Sequence, residues 1–167
     1  MHSFSKIPDW VNLEHQVALL LQQQEQHGWS FDSNRAEQLA YELREDLRTT
    51  EESLRRQHPN VDGGTFTPRR DNRTTGYVKG ATFTRLKELN PTSRDHIAWI
   101  LTNFYGWSPK EKTSSGKPVV NETTLKDVGS PIAMEFLKCL TVTKMLGLLS
   151  EGTNAWLKLC TTANRIH

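Results

Sequence analysis

Apolar residues recur along this chain in helical stripes, interrupted by a stretch with no helical period. Ala36, Ala40, Leu43, Leu47, Thr50 and Leu54 follow one another at intervals of 4-3-4-3-4, the heptad spacing that puts all of them on one side of an α-helix. Between them lie Arg35, Glu37, Glu42, Arg44, Glu45, Asp46, Arg48, Glu51, Glu52, Arg55 and Arg56, so the rest of that helix is a charged, solvated surface. The pattern predicts a helix of about 25 residues, about 37 Å long, capped by Asp32 or Ser33 and stopped before Pro59. So narrow a stripe suits pairing with one partner helix. Ile132, Phe136, Cys139 or Leu140, Thr143 and Leu146 form a second stripe behind Ser130-Pro131, a capping serine with proline at the first helical position. An earlier helix is predicted from Asn12 as N-cap, with Leu13, Val17, Leu20 and Leu21 on one face and Gly28 as its stop. Trp29 and Phe31 then turn the chain back onto that face.

Between the stripes the breakers accumulate: Pro59, Gly63, Gly64, Pro68, Gly76 and Gly80 exclude a helix over 58–88. Thr65-Phe66-Thr67 and Tyr77 to Phe83 suit short strands or an extended clip, the alternative being a disordered basic loop. A capped helix follows Asn90-Pro91-Thr92-Ser93, carrying Ile97, Trp99, Ile100 and Leu101, and Gly106 and Pro109 break the chain again. The expected fold is all-α: an elongated antiparallel hairpin of long helices with a basic, partly irregular tip over 60–129, and possible short β-strands within 63–88. Residues 1–11 read as a polar lead-in and 12–167 as one domain.

Length and composition narrow the picture. A chain of 167 residues is long enough for one modest core. A hydrophobic content of 35% and a mean hydropathy of −0.63 point to a surface that meets something else. No apolar run is long enough for a membrane-spanning helix, and Met-His-Ser-Phe-Ser-Lys-Ile-Pro lacks the apolar core of a secretory signal. Cys139 and Cys160 read as reduced packing residues of a cytoplasmic protein. The six histidines are scattered without metal-ligand spacing.

Charge is sorted. From Arg69 to Lys117 the chain holds ten cations and four anions, a net of +6 against a formal charge of +2 for the whole. The cations are interleaved with Thr, Ser, Asn and Gly, which supply donors for oxyanions, so a polyanion such as nucleic acid is the expected partner. The start of the helix after Pro91 presents free N–H groups and partial positive charge, to which Arg94 adds a full one. An ordinary capped surface helix with incidental lysines nearby is the alternative. Pro109 to Val119 forms a second short loop of the same chemistry. Its Ser114-Ser115-Gly116-Lys117 lacks the upstream glycine and preceding strand of a nucleotide-hydrolysing phosphate loop.

Four stretches together resemble the thumb of family A DNA polymerases, the DNA polymerase I family, and most of all its phage replicative members. They are Leu13-Glu14-His15 through Gly28-Trp29-Ser30-Phe31-Asp32, Leu89 to Ile97, Pro109 to Pro118, and Phe136 to Trp156 with Arg165-Ile166-His167. The resemblance runs from about Trp10 to the last residue. It implies a domain that grips primer-template duplex DNA through backbone phosphates. By the same resemblance the contacts are Asn90, Thr92, Ser93 and Arg94 at the helix cap, Lys112, Thr113, Ser114 and Lys117 in the second loop, and Lys144 on the last long helix. It places the catalytic carboxylates and their Mg2+ in a palm, and nucleotide binding in fingers. Neither matches any stretch of this chain, so no cofactor is expected here, and palm, fingers and exonuclease portions would be partners in cis or in trans. Phage relatives with a processivity-factor-binding insertion in the thumb need more room than Gly63 to Leu89 provides. The rival reading is a non-enzymatic helical protein-interaction module whose heptad seam binds another protein's helix. Asp9, Asp32, Asp62 and Asp127 lie in separate turns, and capping or solvation accounts for each.

Overall fold

A computed structural model describes residues 8–167; most of the expected lead-in therefore lies outside the described residues. The order of elements is α1 (Asp9–His27), β1 (Trp29–Ser30), α2 (Ser33–Gln57), β2 (Asn60–Phe66), β3 (Phe83–Glu88), α3 (Arg94–Tyr105), α4 (Glu122–Val128), α5 (Pro131–Leu146), a π-helical segment (Gly147–Glu151), α6 (Trp156–Leu159) and β4 (Arg165–Ile166). The described residues divide into two compact units: one of residues 8–40 and 147–167, the other of residues 41–146.

The all-α hairpin expected from the two stripes is not what forms. The fold is mixed, with antiparallel two-stranded sheets β1-β4 and β2-β3, and α2 does not find in α5 a single partner along its length. The seam is real: Ala36, Ala40, Thr50 and Leu54 are buried and Leu43 and Leu47 half-buried. Ala36 and Ala40, however, belong to the first unit, whereas Leu47 and Leu54 belong to the second. The buried face of α5 is also broader than a stripe. Ile132, Ala133, Phe136, Leu137, Cys139, Val142 and Leu146 are all buried, while Thr143 is exposed. A face that wide needs several neighbours, and it has them. Leu54 of α2, Val61 of β2, Ile97, Ile100 and Leu101 of α3, Leu125 of α4 and Phe136 of α5 share one core. Lys138 to Asp46 at 3.2 Å and Gln57 to Glu135 at 3.4 Å are polar links between α5 and α2.

The strands expected at 65–67 and 77–83 appear displaced outward, as β2 and β3. Their register runs from Asn60 opposite Glu88 to Phe66 opposite Phe83, with an irregularity between Asp62 and Thr65. There Gly63 lies so close to the partner strand that a Cβ would come within 2.8 Å of Lys87 Cγ. Beyond the ladder the arm holds itself: Phe66, Tyr77 and Phe83 pack ring against ring. Asn72 and Tyr77 exchange backbone hydrogen bonds across the closing turn.

In the first unit, α1 starts at Asp9 with Pro8 before it, earlier than the expected Asn12 cap, and has no buried residue. Its C-terminal carbonyls are taken by the end of the chain. Arg165 Nη1 donates to His27 O (2.8 Å) and Gly28 O (3.0 Å), and His167 Nδ1 donates to Glu25 O (3.0 Å). Gly28 closes the helix with φ +66°, and a Cβ there would stand 2.7 Å from Ile166 O. Phe31 meets Trp156 edge to face, while Trp10, Trp29 and Trp156 stay exposed.

Candidate nucleic-acid interface

Every residue expected to contact DNA falls in the unit 41–146. Pro91 is fully buried and anchors the turn before α3. Asn90 Oδ1 accepts from the N–H of Thr92 (3.0 Å) and from its hydroxyl (2.8 Å), an arrangement that shapes the turn locally. The Asn90 N–H donates to His96 Nδ1 at 3.0 Å. Asn90 and Thr92 therefore spend polar atoms on building the cap. Ser93 is the N-cap, and its hydroxyl makes no capping hydrogen bond; Arg94 begins the helix and is exposed. The first-turn amides are thus left to solvent or to a ligand.

The second loop is a small hairpin. Lys112 bridges to Pro118, Thr113 N–H donates to Lys117 O (2.8 Å) and Gly116 N–H to Thr113 O (2.8 Å). Gly116 has φ +79°, as the last position of such a loop demands. The Thr113 and Ser115 hydroxyls meet at 2.9 Å, and Lys112 and Ser114 point to solvent. Lys117 Nζ reaches Asp95 Oδ2 at 2.5 Å, both side chains 59% exposed. That ion pair ties the loop to the first turn of α3, so the cap and the loop form one surface.

Lys144 stands apart. It is exposed in the last turn of α5, and no hydrogen bond or ion pair among the described residues joins it to either loop. Its charge reaches Glu122, whose carboxyl is held below its ordinary range chiefly by the hydrogen bond from Lys126. What the sequence reading left out of the site is the arm itself, which carries Arg69, Arg70, Arg73, Lys79, Arg85 and Lys87. The signal was present in the charge count but not in any phosphate-loop pattern. Among the described residues no group of three or more His, Cys, Asp or Glu is placed to hold a metal ion. No helix there is long and apolar enough to cross a membrane.

No protein-family profile matches the chain. It is 30% identical over 205 residues to the DNA-directed DNA polymerase of Escherichia phage T7, a match that covers 94% of this chain and 29% of the relative. The DNA-directed DNA polymerase of Enterobacteria phage T3 matches at the same identity and coverage. The chain thus spans under a third of the length of these relatives, and the matched length exceeds its own 167 residues. The relatives therefore carry residues within the match that this chain lacks. Over nearly all of its sequence, the chain is related to a segment of the phage T7 and T3 DNA-directed DNA polymerases.

Proposed function

We propose that this chain is the thumb portion of a family A, phage-type DNA polymerase and that it grips primer-template duplex through backbone phosphates during replication. The observation that carries the reading is the Lys117–Asp95 pair. It marks where the 112–117 loop lies beside the first turn of α3, so that Ser93, Arg94, Lys112, Ser114 and the free amides of α3 share one exposed cationic surface, in a chain related to polymerases. Phosphates suit such a surface because they position a duplex without reading its sequence, as a polymerase requires. Asn90, Thr92 and Thr113 shape the surface, and Lys144 adds a contact from α5. Nucleotidyl transfer, with its Mg2+, belongs to a palm and fingers supplied in cis or in trans. The exposed apolar face of α1, with Trp10, Leu13, Val17 and Leu20 all open to solvent, supports docking to such a portion.

The test is binding of labelled duplex across a salt series. Three to five neutralised phosphates give a slope of log K against log salt of roughly −3 to −5, with little sequence preference. Replacing Arg94 and Lys112 together by Ala flattens the slope by about 2. A double variant that binds with the parent's slope removes the cap and loop from the interface.

A further inference from the structure

The cations of this protein fall into two groups. Away from the arm many are engaged: Arg48 with Glu45 and Glu52, Arg55 with Glu51, Lys117 with Asp95, Lys126 with Glu122, and Lys138 with Asp46. On the β2–β3 arm, Arg69, Arg70, Arg73 and Lys79 beyond the strands and Lys87 on β3 are exposed and make no ion pair among the described residues. The acidic groups beside them are already committed. Asp71 Oδ1 accepts from Lys79 N–H (2.6 Å), Asp62 Oδ1 from Gly64 N–H (2.7 Å), and Glu88 lies 3.7 Å from Arg55 Nε. Arg85 sits over the Phe66 ring, 4.3 Å from its centroid, within the aromatic cluster that stiffens the arm.

A two-stranded ribbon exposed along most of both strands has little core to fill. Apart from Val61 at its root, no residue of either strand is buried. Its shape is nonetheless fixed by the ring cluster and by Asn72 Oδ1, which accepts from the Thr74 and Thr75 amides at the turn. Free cations on a preorganised ribbon spend little ordering entropy when they meet a polyanion. Strand β2 itself carries no cation; the free charges lie beyond it, from Arg69 to Lys79, and on β3 at Lys87.

We propose that the β2–β3 arm is a second contact for the duplex, lying along its backbone through Arg69, Arg70, Arg73, Lys79 and Lys87. The proposal rests on the DNA-gripping reading above and extends its footprint beyond the α3 cap and the 112–117 loop.

The experiment compares four forms of the full chain on a labelled mixed-sequence duplex of about 20 base pairs over a salt series. They are the parent; an arm variant with Arg69→Ala, Arg70→Ala, Arg73→Ala and Lys79→Ala; the Arg94→Ala, Lys112→Ala variant; and an arm variant with the three arginines changed to Lys. With the arm engaged the parental slope is steeper than the roughly −3 to −5 of the cap and loop alone; the first arm variant flattens it by roughly 3 to 4, and the lysine variant keeps it near the parental value because its charge is unchanged. An arm variant with the parental slope, beside a flattened cap variant, overturns the arm and leaves the cap interface standing. A flattened arm variant beside an unchanged cap variant sustains the arm and removes the cap. Equal flattening in the lysine variant overturns the proposal, since charge is then not the cause. A parent that ignores duplex but binds polyglutamate overturns it in favour of an acidic protein partner.

Discussion

Changing Asp95 to Asn should strengthen DNA binding, an outcome that a merely structural salt bridge would not produce. Asp95 and Lys117 are both 59% exposed, so their attraction contributes at most about 1 kcal/mol to folding. Asp95 also sits in the first turn of α3, where a carboxylate gains ~0.3 to 1 kcal/mol from the helix dipole. Asparagine keeps the shape, so the melting temperature should fall by only a few degrees. At the interface two changes act in the same direction: a negative charge leaves, and the Lys117 ammonium is released to a phosphate. One added phosphate contact steepens the salt slope by about 0.9, which makes binding about 3.5-fold more sensitive between 50 and 200 mM salt. Anisotropy of a labelled duplex at several salt concentrations measures both slope and affinity. If D95N binds more weakly, or with an unchanged slope, Lys117 is a strut that holds the loop to α3 and does not touch DNA.

Phe136 is fully buried at the centre of the shared core, so Phe136→Ala should cost about 3 to 5 kcal/mol in urea unfolding, whereas the same change at exposed Phe104 should cost far less. Gly28→Ala forces a side chain into positive φ and against Ile166 O at 2.7 Å. It should destabilise by about 1 to 3 kcal/mol and speed hydrogen exchange at the Phe31 amide, which donates to Asn164 O. Burial, with Glu51 and Glu135 adding to it, pushes the Cys139 thiol up to about 11, so it should resist iodoacetamide at pH 8 while half-buried Cys160 reacts, and denaturant should expose both. Between the ordinary thiol range and that raised value the unfolded chain ionises first, so stability should decline as pH rises through this window.

Local signals carried much of the helical reading. The seam of α2 shows as burial at the spacing its sequence implies, Pro131 opens α5 with the Ser130 hydroxyl accepting from Ala133 N–H at 3.3 Å, and Gly28 ends α1. Each of these depends on residues within a turn or two of one another. What sequence did not display depends on distant partners or on weak apolar contrast. Helix α4 is seven residues long with one buried side chain, Leu125, and is held by the reciprocal Asn121–Thr124 capping box; it has too few apolar positions to show a period. The β2–β3 ribbon lacks alternation because it is largely solvated on both faces. The pairing of Trp29 with Ile166 joins positions with no local signature. The all-α hairpin failed for a related reason: periodicity reports the face a helix buries, not how many neighbours will cover it. The candidate interface was legible as charge and caps, but the ion pair that joins its two loops was not.

The ladder of β1 and β4 is only two residues long, yet it closes the chain on itself: Trp29 faces Ile166 and Ser30 faces Arg165. Everything from Phe31 to Asn164 is therefore an excursion that leaves and returns at one doorstep. Residues can be added to or removed from such an excursion without moving the two feet on which it stands. Mechanically, the same geometry makes the doorstep the first thing to yield. Tension applied before Trp29 and after Ile166 enters both strands from the same side and peels their hydrogen bonds one at a time rather than shearing them together.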